Sequence, residues 1–453
     1  MSSTLMKSVS GIRGVVGDSL TPELIVSISS AFARYAGRGN IIIGRDSRPT
    51  GQVISDLVSS VLSLCGCNVI DIGIVPTPTV QLMVEEKKAA GGIVISASHN
   101  PIEWNAFKLI NKSGTFLNSA EIQKFFKYME DDHSYVKWDK IGTITRDNSA
   151  SDLHIGKVLN IVNAARIRKK KFSIVLDSVN GAGSIITQTL LAKLGCRTVP
   201  LYCEINGRFP RGAEPIPENL TDLSLAVKKN RTDLGFAQDP DADRLAIVDE
   251  NGNPIGEENT IALVTEHLLS REKGRVVINL STTKAVEDIA AKYGVKVKRT
   301  RVGEINVVDE MRKNGARIGG EGNGGVISPE VHLGRDSLVG IGYILDMMAE
   351  RNKTLSELVA SLPSYVMKKG KVSIRGNAGS ATIMTRLQGE FKGEKISTLD
   401  GLRIDFVKHE VFKGGWVHLR ASNTEPIFRI IAEGKSAVQT AKIYDHFAGM
   451  FRK

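Results

Sequence analysis

The sequence predicts an α/β protein with mainly parallel strand pairing, closed by a smaller α+β domain. Short apolar segments of strand length alternate with amphipathic stretches of helix length, which is the pattern of βαβ units. Near the C-terminus three strand-like segments come close together instead, marking a change of architecture. Residues 40–44 read as a strand, 55–64 as a helix, 68–72 as a strand, and 93–96 as a strand running into a polar loop. A polar, irregular stretch at 131–152 reads as a seam. A second block has strand 172–177, helix 182–194 and strands 234–238 and 245–249. A third begins near Gly256, with strands 275–280, 295–300 and 316–319 and helices 285–293 and 337–350. A linker is expected at 368–371, followed by strands 401–406, 415–419 and 428–433 and helices 381–391 and 436–450. In each of the first three blocks a strand ends in a Gly- or Asp-rich loop, which suggests a repeated plan.

The chain has 453 residues, 42% hydrophobic and 24% charged. That length accommodates three domains, or four, of about 100–150 residues. Cores of this size need no disulfide staples. The four cysteines and the absence of an apolar leader favour a reducing, cytoplasmic setting. No apolar run reaches the ~20 residues that span a membrane. Cys65 and Cys67 have no partner pair at zinc-like spacing. A net charge of +11 suits nucleic acid, acidic membrane or a phosphorylated small substrate. The densest basic run, Arg166 to Lys171, reads as a solvated helix end or linker. An aromatic content of 6% leaves little for base stacking.

Chemistry concentrates in loops. Ser98 and His99 follow the apolar strand 93–96, where a substrate can reach them. Serine is a weak nucleophile unaided. Far downstream, Asp239, Asp241 and Asp243 alternate along one loop and can converge on a hard cation, Mg²⁺ above transition metals. Calcium-loop spacing is mimicked, with Glu250 at the twelfth position, but Arg244 replaces the required glycine and a strand follows. Lys108 near such a metal can have its pKa lowered and act as a base. Arg13 sits in an expected flexible turn at 10–14, and Arg45 and Arg48 follow strand 40–44. All three suit phosphate contacts or interdomain salt bridges. In the glycine-rich loop 319–325, Glu321 and Asn323 can bond vicinal hydroxyls. Arg420, Ser422, Asn423 and Thr424, with Arg429 beyond, make a phosphate cradle.

Together these loops resemble the α-D-phosphohexomutase family. Four motifs carry the resemblance, in the family's order and across essentially the whole chain: 96–101, 239–244, 320–325 and 420–426. The resemblance implies three similar α/β/α domains plus a smaller C-terminal α+β domain around a central cleft, at 1–150, 151–255, 256–368 and 369–453. It implies Ser98 as a phosphoserine, with Lys108, Arg13 and His99 as catalytic residues. Asp239, Asp241 and Asp243 would hold one Mg²⁺ together with a Ser98 phosphoryl oxygen. Arg244, Gly303, Glu321, Asn323, Arg420, Ser422, Asn423, Thr424 and Arg429 would bind substrate. The implied reaction interconverts hexose 6- and 1-phosphates through a bisphosphorylated sugar, with a sugar 1,6-bisphosphate as activator. Glucosamine phosphate is the first substrate expected, with broad glucose and mannose phosphate activity as the alternative. Partners are then small phosphosugars, without nucleic acid or membrane, acting on a monomer or homodimer. The chain departs from many bacterial members at Gly325, where they carry histidine; His332 lies shortly after. Two other readings remain: a phosphatase using the same serine, and a basic nucleic-acid-binding protein.

Overall fold

The computed structural model describes residues 4–9, 11–131, 135–373, 380–421 and 427–451. Four sheets follow one another along the chain. The first has seven strands, with Asn40–Arg45 between Gly91–Ile95 and Asn68–Ile74. Its run of three isoleucines belongs to a strand buried on both faces. Ile42 joins the core under the Thr77–Glu86 helix, while Ile41 and Ile43 join the core under Pro22–Ala36 and Gly51–Leu64.

The second and third sheets have four strands each and share one plan. Parallel strands form the body, and an antiparallel hairpin forms one edge: Leu234–Gln238 with Leu245–Val248, and Ile318–Glu321 with Gly325–Ile327. The first sheet has a matching antiparallel pair, Gly91–Ile95 with Trp104–Asn111. Each of the three hairpins carries one chemical loop at its connection. The last sheet has five strands, all antiparallel, over a separate core that includes Leu387, Trp416's neighbour Val417, Phe428 and Phe447.

Four expectations are corrected. The linker expected at 368–371 lies inside strand Val366–Ser373, which pairs with Ile427–Gly434 along its whole length. Its side chains are mostly exposed, so it lacks the apolar alternation that would reveal it. The turn expected at 10–14 is strand Gly11–Val15, paired with Trp104–Asn111. The seam at 131–152 contributes an edge strand, Ile144–Arg146, and the first turn of helix Ala150–Asn160. The first sheet is mixed rather than mainly parallel, with three parallel and three antiparallel pairings. The basic run falls in helix Ala164–Lys170, where Ile167 is buried and Arg166 pairs with Asp346 at 2.8 Å. No described helix is long and apolar enough to cross a membrane.

Candidate active site

The serine loop begins where the buried strand Gly91–Ile95 ends. Ser98 has φ 47°, a left-handed conformation uncommon outside glycine. Arg48 supports it from beneath. That guanidinium is 1% exposed and donates to the carbonyl oxygens of Ser98 (2.7 Å), Asn100 (2.7 Å) and Pro101 (2.6 Å). Its charge is met by Asp46 at 3.1 Å, which also accepts from Ser96 Oγ at 2.6 Å. Ser96 Oγ accepts in turn from the Ser98 N–H at 3.0 Å. Arg48 therefore braces the loop internally, and its guanidinium also lies over the ring of Phe209 from the second block, 4.8 Å from the centroid. Arg45 likewise turns aside, to Gln52 at 2.6 Å.

The brace aims Ser98 Oγ at the second sheet, where it donates to Asp239 Oδ2 at 2.8 Å. Asp239, Asp241 and Asp243 are fully buried, with ligand atoms within 4.8 Å of one another. The loop is tightened by Ala242 in the left-handed region and by Asp239 Oδ1 accepting from the Asp243 and Arg244 amides at 3.1 and 3.2 Å. Burial, then Asp243 and Asp241, push the Asp239 carboxyl well above its ordinary range. Asp241 Oδ1 and Asp243 Oδ1 are buried and accept no hydrogen bond among the described residues. An all-oxygen cluster with orphaned acceptors and mutual repulsion fits a hard cation such as Mg²⁺. Glu250 takes no part: it accepts from Ser356 at 2.5 Å, so the calcium-loop likeness ends at spacing.

Lys108, on strand Trp104–Asn111, is 6% exposed and reaches Asp241 at 2.5 Å and Asp243 at 3.6 Å. Burial favours its neutral form, but Asp241 and Asp243 outweigh burial and hold its pKa above the ordinary lysine value. This direction is opposite to the lowering expected for a lysine beside a bound metal. Thr77, from the first sheet's helix, also donates to Asp241. His99 Nδ1 lies 3.5 Å from Ser98 Oγ, and burial with Arg244 and Arg13 pushes its pKa down to about 2. Arg13 donates to Asn100 Oδ1 at 3.0 Å, and Arg244 pairs with Glu214 at 2.9 Å.

On the third sheet, Glu321 Oε1 accepts from Asn279 Nδ2 at 2.7 Å and from the Gly303 N–H at 2.9 Å. Gly303 has φ 115°, a conformation that favours glycine, and this turns its N–H onto Glu321. Asn323 Nδ2 lies 3.4 Å from Glu321 Oε2. Glu321 Oε2 also accepts from Arg335 at 2.7 Å. His332 is buried against Asp336 at 3.1 Å and does not line the cleft, so it does not replace a histidine at position 325. From the last sheet, Arg420 pairs with Asp400 at 3.1 Å. Ser422, Asn423 and Thr424 lie outside the described residues.

These side chains surround a single cleft of about 620 Å³, lined by Arg13, Ser98, His99, Lys108, Arg244, Gly303, Glu321, Asn323, Arg420 and Arg429. Arg335, Glu304, Glu258 and Lys369 also line it, and sequence reasoning did not name them. None belongs to a recognisable local motif; only the packing of separate sheets brings them in.

A serine donating into a buried carboxylate triad, with a polar cleft lined from four sheets, defines a phosphoryl-transfer enzyme built for a small polyhydroxyl substrate. The chain matches all four models of the phosphoglucomutase/phosphomannomutase family: alpha/beta/alpha domain I over residues 5–136, domain II over 152–252, domain III over 257–365 and the C-terminal domain over 369–450. It is 38% identical to a phosphoglucomutase/phosphomannomutase of Thermococcus kodakarensis, covering 94% of each chain. It is 34% identical to a Methanopyrus kandleri protein named "Probable phosphoglucosamine mutase", covering 98% of this chain and 97% of that one. Among solved structures it superposes on a phosphoglucomutase/phosphomannomutase family protein from Burkholderia thailandensis with a TM-score of 0.83 and 26% identity, covering 98% and 97% of the two chains. The fold also matches an Aspergillus fumigatus N-acetylphosphoglucosamine mutase solved with GlcNAc-6P and magnesium (TM-score 0.62, 13% identity, 98% and 94% covered). The chain belongs to the phosphoglucomutase/phosphomannomutase family, the α-D-phosphohexomutases, and is an enzyme of the mutase class.

Proposed function

We propose that this enzyme interconverts the 6- and 1-phosphates of a hexose through a phosphorylated Ser98, with glucosamine phosphate as its first substrate. The observation that carries the reading is the 2.8 Å hydrogen bond from Ser98 Oγ to Asp239 within the buried carboxylate cluster. In the first step the phosphorus–Oγ bond of phospho-Ser98 breaks and phosphorus bonds a free hydroxyl oxygen of the sugar monophosphate; that hydroxyl gives up its proton and the released Ser98 Oγ takes one up. The bisphosphate then turns over, and its other phosphate returns to Ser98. Asp239, Asp241 and Asp243, with phospho-Ser98, would hold a Mg²⁺, which would supply charge neutralisation at the transferring group. Lys108 adds a fixed positive charge at the same point, and Arg13 and Arg244 extend that field toward the cleft. Glu321 and Asn323 accept and donate to the sugar hydroxyls. Arg420 and Arg429, with Ser422, Asn423 and Thr424, grip the phosphate that is not reacting, in either orientation of the sugar.

Related proteins carry both amino-sugar and glucose/mannose names, so substrate choice is the open variable. The test is a mutase assay with Mg²⁺ and a sugar 1,6-bisphosphate activator, run on glucosamine, N-acetylglucosamine, glucose and mannose phosphates. Glucosamine phosphate is expected to turn over fastest, and Ser98→Ala to abolish turnover of every substrate. Comparable rates on glucose or mannose phosphate would replace the amino-sugar reading with broad specificity. Full activity of Ser98→Ala, or steady release of inorganic phosphate without isomerised sugar, would sink the phosphoserine route.

A further inference from the structure

One guanidinium lining the cleft is held through each of its three nitrogens. Arg335 donates from Nη2 to Asp243 Oδ2 at 2.6 Å, from Nη1 to Glu321 Oε2 at 2.7 Å, and from Nε to Glu304 Oε2 at 3.0 Å. Its side chain is 11% exposed. Asp243 belongs to the carboxylate loop of the second sheet, and Glu321 ends strand Ile318–Glu321 of the third. Glu304 begins helix Glu304–Asn314 and accepts from Gln81 of the first sheet's Thr77–Glu86 helix at 3.0 Å. Arg335 is therefore the junction of three sheets at the point where their loops meet.

A second observation concerns the path this side chain takes. A Cβ at Gly325 would lie 2.3 Å from Arg335 Cδ and 2.9 Å from Cγ. Gly325 is not among the positive-φ glycines, so its backbone places no demand for glycine. The demand comes from Arg335, whose methylenes fill the space a side chain at 325 would occupy. With three anchors on its head group, Arg335 cannot swing away without releasing a buried carboxylate. The glycine at 325 and the arginine at 335 are one arrangement.

We propose that Arg335 is a positioning residue of the mutase site, which fixes Glu321 toward the sugar by tying it to the carboxylate loop; this rests on the mutase reading above. A planar fork holds two carboxylates in a set mutual geometry, where a lysine ammonium, a compact charge with rotatable donors, does not fix the angle between them. Removing it leaves Asp243, Glu304 and Glu321 buried without their shared counter-charge. Glu321 then keeps only its Oε1 bonds to Asn279 and Gly303, its Oε2 loses its charged anchor, and sugar binding weakens. The cation cluster behaves differently, because a positive charge beside a cation ligand opposes cation binding. Loss of Arg335 leaves divalent affinity unchanged or tighter. A general collapse of the site would weaken both.

The test measures the two affinities separately. Glucosamine 6-phosphate and glucose 6-phosphate are titrated calorimetrically into metal-free protein, and Mn²⁺ is titrated by electron paramagnetic resonance without sugar. In Arg335→Met the sugar-phosphate Kd is expected to rise at least about tenfold, the cost of a lost charge-assisted hydrogen bond, with Mn²⁺ affinity unchanged or higher. Arg335→Lys should recover part of the loss. Gly325→Ala, which displaces the arginine without removing it, should weaken sugar binding in the same direction, and should add little in the Arg335→Met background. An unchanged sugar-phosphate Kd in Arg335→Met overturns the proposal, and so does parallel loss of both affinities. If Arg335→Met fails to fold, a folded Gly325→Ala with wild-type sugar affinity overturns it as well. Absence of mutase turnover in the wild type would instead count against the reading of function, independently of these affinities.

Discussion

At the scale of single residues, the site depends on groups that never touch substrate. Arg48 fixes three carbonyls of the serine loop, those of Ser98, Asn100 and Pro101, and is itself neutralised by Asp46, both out of water. Arg48→Met leaves the Asp46 carboxylate buried and unpaired, a loss of about 3–5 kcal/mol for a broken buried pair. The expected outcome is a lower urea midpoint together with a fall in kcat, since Ser98 would no longer be held in its left-handed conformation. Adding Asp46→Asn should restore much of the midpoint and little of the activity. An Arg48→Met variant with wild-type midpoint and kcat would remove the brace from the account. The same residue shows what sequence conveys. Ser98 and the three aspartates were legible because their chemistry depends on spacing within one loop. Arg48 was legible only as an arginine near a strand end, and its inward turn depends on a loop fifty residues away. Arg335, Glu304 and Thr77 had no local signal, because each acts across sheets.

Among elements, helix Ser337–Arg351 is buried along nearly its whole length and begins on Asp336. Asp336 Oδ1 accepts from the Leu338 and Val339 amides at 2.8 and 3.3 Å, the work of an N-cap. Its Oδ2 lies 2.7 Å from His154 Nε2 and 3.1 Å from His332 Nε2, which joins the helix to Ala150–Asn160. Burial pushes this carboxyl up, but His154 and His332 outweigh it and hold the pKa well below the ordinary range. A depressed folded pKa stabilises above the unfolded carboxylate range and is lost as pH falls through it. Asparagine caps a helix about as well as aspartate, so Asp336→Asn should lose the charge and keep the cap. The stability gap between wild type and Asp336→Asn should therefore narrow as pH is lowered from about 5. Asp336→Ala should lose about 1 kcal/mol more through the missing cap, independently of pH. Thermal unfolding of the three proteins across that range checks both claims; a gap that does not change with pH would mean the histidines do not read the charge.

For the whole molecule, the plan that sequence conveyed was the alternation of strands and helices, and the missing parts share a cause. Strands Gly11–Val15, Trp104–Asn111, Ile144–Arg146 and Val366–Ser373 lie at or near sheet edges, or mix glycine, charge and polar residues, so their hydrophobic period is weak. The last of these carries the docking of the C-terminal unit. Lys369 donates to Glu257 at 2.6 Å and to the Gly322 carbonyl at 3.0 Å, and pairs with Glu258 at 3.0 Å. The neighbouring contacts are also polar: the Lys284 amide to Glu433 at 2.9 Å, the Val302 amide to Asp400 at 2.9 Å, and Ser281 Oγ to His418 Nδ1 at 2.9 Å. Polar contacts exchange readily for water, so a unit held this way can separate and redock as a sugar bisphosphate turns over. Lys369 is the contact that reaches the glycine-rich loop itself, through Gly322. Lys369→Met should shift the population toward separated units, seen as a larger radius of gyration in small-angle scattering without ligand. The KM for sugar phosphate should rise several-fold, by the share of binding energy spent on redocking, while Mn²⁺ affinity at the aspartate loop stays at the wild-type value. Saturating sugar bisphosphate should return the radius to that of the wild type, because Arg420 and Arg429, the arginines proposed to hold the phosphate, remain. A variant with unchanged scattering and unchanged KM would show that docking is set by the remaining contacts, and that Lys369 only neutralises Glu257 and Glu258.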